Sequence, residues 1–226
     1  MEESPERLFA TDRFGRLVRI GERGELLREI RAHAELHGEV PYAVAAVHLM
    51  LLTPGGLLRL TRRGDKPENP FLWDKTVGGH VTAPPGAVAL TREVFDDNLR
   101  RETAEEIGLE SLIIAQDALH YREWLHSGTL DLTQTALVRL IDVDPWQASL
   151  RRDREGRVWL KRGHIAVYAG VCAAPFRFAD GEVIDQREED PALLRAALVE
   201  EPWRCTDDMR VMLERYFHLL KAGLPL

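Results

Sequence analysis

The chain has 226 residues, 45% of them apolar and 30% charged, the composition of an ordinary folded protein with one sizeable core or two small ones. This excludes a collagen, a low-complexity tail and a disulfide-stapled miniprotein. Lys and Arg number 30 against 37 Asp and Glu, a formal charge of −7, so bulk nucleic-acid binding is disfavoured and any hold on phosphate must come from a local patch.

In chain order, Arg7 to Ile20 reads as two short β-prone runs around the turn Asp12-Arg13-Phe14-Gly15, a hairpin. Leu26, Leu27, Ile30, Ala34 and Leu36 then fall at helical spacing. Tyr42 to Leu52 is an apolar strand, Thr53-Pro54-Gly55-Gly56 a turn, and Leu57 to Thr61 a second strand. A polar loop from Asp65 to Pro70 leads to Phe71-Leu72-Trp73 and Thr76-Val77-Gly78-Gly79. A second loop, Thr82 to Gly86, precedes a helix from about Leu90 to Ile107 closed by Gly108. Leu112 to Trp124, Thr129 to Ile141 and Val158 to Ala174 read as longer strands. The charged stretch 143–157 reads as an inserted loop or short helix, and Pro191 to Val199 and Thr206 to Lys221 as closing helices. No repeat or long linker appears, and the order of elements indicates a single α+β domain.

Cys172 and Cys205 are too few for a disulfide framework and lack zinc spacing; they read as buried thiols in a reducing cytosol. The first twenty residues carry acids where a secretory signal has a basic start, and the longest apolar run is about half a bilayer crossing. The expectation is a soluble, cytoplasmic protein with no membrane partner.

The chemistry concentrates between Glu93 and Leu109. On a helix, Glu102, Glu105 and Glu106 share an arc of roughly 100°. Their mutual repulsion, near a helix C-terminus that also disfavours anions, calls for a positive counter-charge. A hard divalent cation such as Mg²⁺ suits oxygen ligands of this kind. Arg101, four residues before Glu105, can brace that carboxylate. Phe95, Leu99, Thr103 and Ile107 form an adjoining stripe that can pack on a sheet.

The run Glu93, seven residues, Arg101-Glu102-x-x-Glu105-Glu106-x-Gly108-Leu109, with Trp73-Asp74-x-x-x-Gly78-Gly79-His80-Val81 before it, resembles the signature of the Nudix hydrolases. The resemblance spans roughly residues 40–220. It implies an α/β/α sandwich around a mixed β-sheet over 41–226, with an N-terminal hairpin and helix extension over 1–40 and C-terminal helices. It also implies a Mg²⁺- or Mn²⁺-dependent hydrolase that cleaves the pyrophosphate bond of a nucleoside diphosphate linked to another moiety. By carry-over, Glu105 and Glu106 are metal ligands, Glu102 a ligand or general base, and the Gly79 carbonyl a further ligand. Glu93 takes a supporting role at the helix start, bracing Arg101, because a straight helix sets it roughly 13 Å from Glu102 and about 180° round. A base from a late segment would be Glu182, Asp185 or Glu188.

The chain departs from the family pattern in two places. Thirteen residues, rather than five, separate Gly79 from Glu93, which indicates an insertion within Val81 to Arg92 at the lip of the cleft, and Thr103 replaces an aliphatic residue. Arg62, Arg63 and Lys66 resemble the diphosphate-gripping cations of the isopentenyl-diphosphate isomerase branch, and Trp73 either stacks on a base or packs into the core. The isomerase is the rival reading, yet glycine stands where its catalytic cysteine precedes the Gly-His pair. A catalytically silent binding module is the third reading. The implied partner is a small-molecule diphosphate, and the N-terminal hairpin and last helix are candidate surfaces for a homodimer.

Overall fold

Apolar side chains on both faces of the run from Ala43 to Leu52 make it the centre of the fold. The computed structural model describes residues 5–178 and 181–221. Its elements are β1 (Arg7–Thr11), β2 (Leu17–Glu22), α1 (Arg23–His37), β3 (Ala43–Leu52), β4 (Leu58–Arg63), β5 (Trp73–Asp74), β6 (Val77–His80) and α2 (Arg92–Ile107). There follow β7 (Ser111–Ala115), α3 (Ala118–His126), β8 (Thr135–Arg152), β9 (Val158–Val171), β10 (Val183–Glu189), α4 (Pro191–Glu200) and α5 (Asp207–Lys221).

Every residue of β3 is buried. Because successive side chains alternate across a strand, Ala45, Val47, Leu49 and Leu51 meet Phe95, Leu99 and Ile107 of α2 on one face. Ala46, Met50 and Leu52 meet Leu194 and Leu198 of α4 and Met209, Met212 and Leu213 of α5 on the other. Helices therefore cover both faces of a mixed sheet, the expected α+β layering. β3 runs parallel to β9 and antiparallel to β6 and β4, and β7 runs parallel to β8. The N-terminal hairpin joins this sheet: β1 pairs with β3 through Ala10 and Thr11, and Leu8 bridges to Thr82. Among the described residues no helix is long and apolar enough to cross a membrane.

Two expectations need correction. Leu112 to Trp124 is not one strand: β7 ends at Ala115, and the Asp117 side chain accepts from the His120 amide to start α3, whose buried Tyr121 faces the sheet. The stretch 143–157 is not an inserted loop or helix. It is the outer half of a long β8–β9 hairpin, with register shifts between Leu140 and Asp142 and between Asp144 and Gln147, and its turn is confined to 153–157. Val183–Glu189, assigned to no element from the sequence, is a strand that pairs with β4, although its acidic sequence lacks an apolar alternation. It lies at the sheet edge, where charged side chains are ordinary.

The β8–β9 contact is tight enough to require a glycine. A Cβ on Gly170, which pairs with Val138, would lie 2.0 Å from the Leu137 carbonyl oxygen and 2.7 Å from Val138 Cα. These are backbone atoms that cannot turn aside. Gly170→Ala is expected to lower the unfolding free energy by about 3 kcal/mol in urea titrations, and a loss below about 1 kcal/mol would contradict this packing.

Candidate active site

Helix α2 starts at Thr91, whose hydroxyl accepts from the Val94 amide, and stops at Gly108, which adopts the left-handed conformation with φ 63°. Its buried face carries Phe95, Leu99, Thr103 and Ile107 together with Asn98, Glu102 and Glu106. Two of the three acids are thus drawn inward by the face that packs on the sheet. Glu102 and Glu106 are 8% and 5% exposed. Glu105 is half exposed, and its Oε2 accepts from Arg101 Nη1 at 2.7 Å.

The glycine pair of β6 makes room for the two buried carboxyls. A Cβ on Gly79 would fall 2.0 Å from Glu102 Cδ, and the Gly78 amide donates to Glu106 Oε2 at 3.2 Å. Arg101 Nη2 donates to Glu102 Oε1 at 2.5 Å and to Asn98 Oδ1 at 3.1 Å. Asn98 Oδ1 in turn accepts from the Thr82 amide at 2.9 Å, which ties the helix to the strand end beyond β6. Lys66 Nζ donates to Glu182 Oε2 and lies 3.9 Å from Glu106 Oε1. Burial pushes the Glu102 carboxyl up to about 7 and that of Glu106 up to about 8, outweighing the pull of Arg101 and Lys66.

These groups open on a cavity of about 560 Å³. Its other walls include His48 of β3, His80 of β6, and Arg151 and Lys161 of the long hairpin. Behind them lies a buried ionic network. Asp208 of α5 meets Arg151 at 2.7 Å, Lys75 at 3.6 Å and His48 at 3.8 Å, and Asp74 meets Lys75 and Arg63. Burial alone would raise the Asp208 carboxyl, but Arg151, Lys75 and His48 hold it well below its ordinary value. The Asp74 carboxyl is likewise held down to about 2. Asp208→Asn leaves Arg151 buried without its closest anion, and it is expected to cost about 3–5 kcal/mol of folding stability in urea titrations. Because the folded-state pKa is depressed, that contribution is fully present above the ordinary 3.8 and disappears as pH falls below it. A gap between wild type and Asp208→Asn that stays constant down to about pH 2 would refute the ion-pair assignment.

No family model matches the sequence, and no curated protein matches it. Solved structures do. The chain is similar to DR0079 from Deinococcus radiodurans, at 18% identity over 93% of this chain and 98% of that one, with a TM-score of 0.59. It is also similar to a NUDIX hydrolase from Alicyclobacillus acidocaldarius (14% identity, 79% and 90% of the two chains, TM-score 0.49). A third similar structure is a MutT protein from Methanosarcina mazei Go1 (16%, 77% and 92%, TM-score 0.46). In this layering the run from Arg101 to Ile107 lies on a helix that faces a glycine pair at the sheet. The chain shares the fold of DR0079.

Within this fold, the structure gathers some of the expected residues and separates others. Arg63, Lys66, Gly79, Arg101, Glu102, Glu105 and Glu182 line the cavity, with Glu106 immediately behind Gly78. Arg62 does not line it; its Nε donates to the Phe71 carbonyl instead. Glu93 does not brace Arg101. It is exposed in the first turn of α2, and hydrogen bonds from its own amide and from Thr91 lower its carboxyl pKa. Asp185 and Glu188 lie on β10 opposite Arg62 and Arg59, outside the cavity lining. Trp73 packs against the α4–α5 core with Arg187 over its ring at 4.2 Å. The extended stretch Val81 to Arg92 is pinned at its start, where the Ala83 amide donates to the Arg7 carbonyl, and contributes Thr82 to the cavity.

Sequence reasoning missed Asn98, Arg151, Lys161 and Asp208 as site residues. Asn98 had a local signal, a polar residue on the buried stripe three positions before Arg101. The other three come together through long-range strand and helix packing and had none.

Glu102, Glu105 and Glu106 offer carboxylate oxygens, the donor type a hard divalent cation takes, and the Lys66 ammonium already stands as a cation between Glu106 and Glu182. Among the described residues no three Asp, Glu, His or Cys side chains converge as a ready-made metal-holding group, and Glu105 is turned onto Arg101.

Proposed function

We propose that the protein is a divalent-metal-dependent hydrolase that cleaves the diphosphate bond of a nucleoside diphosphate, or a related diphosphate, linked to another moiety. The observation that carries this reading is the burial of Glu102 and Glu106 on one helix face, against Gly78 and Gly79, beside a cavity of a size that admits a small ligand. Glu102, Glu105, Glu106 and the Gly79 carbonyl would hold Mg²⁺ or Mn²⁺. When bound, the metal neutralises phosphate oxygens and makes a bound water more acidic.

The remaining steps fall to the chain's own side chains. Lys66 and Arg63 bind the diphosphate oxygens as charge-assisted donors. Before metal binds, Arg101 holds Glu102 and Glu105 in place, and Asn98 holds Arg101. Glu182, which lines the cavity where Asp185 and Glu188 do not, takes the proton from the attacking water at a carboxylate oxygen.

The isomerase reading needs a thiol in the cavity. Cys172 and Cys205 are buried in the cores on opposite faces of the sheet, and burial raises both thiols. A panel of nucleoside, sugar and prenyl diphosphate esters incubated with Mg²⁺ or Mn²⁺ tests the assignment. Metal-dependent release of a phosphomonoester supports it. Formation of an allylic isomer instead, or tight Mn²⁺ binding without turnover on any ester, overturns it in favour of the isomerase or a binding module.

A further inference from the structure

The cavity has two chemically different ends. One is bounded by Glu102, Glu105 and Glu182. At the other stand His48, His80, Arg151 and Lys161, and there a second small cavity of about 20 Å³ adjoins, to which α2 contributes nothing. We propose that this second end is an anion-binding subsite that takes a phosphomonoester carried by the part of the substrate lying beyond the scissile diphosphate. The proposal rests on the hydrolase reading for its substrate and on independent geometry for its chemistry.

Charge counting gives the first argument. Four buried or half-buried cations, Arg63, Lys75, Arg151 and Lys161, share three carboxylates, those of Glu68, Asp74 and Asp208. The sharing is loose at the cavity face. Glu68 lies 3.5 Å from Lys161 and 3.6 Å from Arg151, and the hydrogen-bond partner of Lys161 Nζ is a neutral ring nitrogen, His80 Nε2, at 3.0 Å. Among the described residues this cluster therefore holds one more cation than carboxylates, at the wall of the cavity.

Unused hydrogen-bonding capacity gives the second. His48 is 3% exposed, yet among the described residues its Nδ1 has no hydrogen-bond partner, and neither has Arg151 Nε, which Glu68 approaches only to 3.6 Å. Buried polar atoms are ordinarily satisfied, so these are available to a group that enters the cavity. Lys161 has three donor protons and Arg151 a planar fork, which with two imidazoles approach the cavity from four strands. A terminal phosphate, with three oxygens pointing in different directions, can accept from all of them.

The third argument concerns what does not line the cavity. Among the described lining residues there is no Phe, Tyr or Trp, and the sequence places none at 1–4, 179–180 or 222–226. A group entering this end is therefore recognised by charge, not by stacking on an aromatic ring.

The test uses the full chain and two matched compounds, ribose 1-diphosphate and ribose 1-diphosphate 5-phosphate, assayed with Mg²⁺. Wild type is expected to show a KM at least about ten-fold lower for the phosphorylated compound, the factor that one charge-assisted contact supplies. In Lys161→Gln the preference collapses, and in Lys161→Arg it is retained. Equal KM values in wild type overturn the subsite, as does a folded Lys161→Gln protein that keeps the preference. If Lys161→Gln does not fold, the wild-type comparison with Lys161→Arg still decides. If neither compound is cleaved, the subsite is decided separately by calorimetry with inorganic phosphate on metal-free protein. Binding that weakens about ten-fold in Lys161→Gln upholds it, and absence of wild-type binding overturns it.

Discussion

Glu106→Gln is expected to lower metal-dependent cleavage of a diphosphate ester by at least about a hundred-fold while leaving the fold intact. The amide has the volume of the carboxylate, and its oxygen can still accept from the Gly78 amide, which now donates to Glu106 Oε2 at 3.2 Å. Lys66 keeps Glu182 as its partner. Burial at 5% exposure already opposes a charge at this position, so an uncharged side chain does not weaken the folded state. Initial rates across a Mg²⁺ titration, paired with thermal melts in chelator, separate the two effects. A wild-type rate would remove Glu106 from the machinery. Loss of the cooperative melt would make it a structural residue.

Gly79→Ala is expected to match that loss of activity without removing any functional group. The new methyl would sit 2.0 Å from Glu102 Cδ and within 2.3 Å of both carboxylate oxygens. Glu102 cannot swing aside freely, because it is buried and gripped by Arg101, and β6 cannot retreat, because Val47 of β3 pairs with Gly79. Overpacking of this kind costs about 1–3 kcal/mol, and here it displaces the carboxylate itself. Activity within about three-fold of wild type, in an otherwise stable variant, would show that the Glu102 position is not needed for turnover.

Much of this site is local in sequence and was legible there. Thr91 and Gly108 bound α2, the acids fall at i, i+3 and i+4, and the Gly-Gly pair precedes them. Their outcome in three dimensions was less so. Glu102 and Glu106 turn inward with the apolar stripe, while Glu105 follows Arg101 outward, because the buried face of α2 takes in Leu99, Glu102, Thr103 and Glu106 and leaves Arg101 and Glu105 outside it. The long hairpin was misread for a physical reason. Its inward positions carry Gln147, Ser149, Arg151 and Lys161, polar residues that line the small adjoining cavity, so the period-2 alternation of a strand is written in polar side chains and not in hydrophobicity. The strand at Val183–Glu189 was hidden in the same way, and α3 was hidden by a β-prone composition that the Asp117 cap overrides. Asp208, at the start of the last helix, gains its meaning from β3 and β8 and could not be assigned before those elements were placed.

The measurement that bears most directly on the account is anomalous diffraction from crystals soaked in Mn²⁺. A peak bounded by the Glu102 and Glu106 carboxylates and the Gly79 carbonyl, with Glu105 released from Arg101, is the result this account predicts. A map with no peak there, and with Glu102 and Glu106 still held by Arg101 and Lys66 at saturating Mn²⁺, would contradict it.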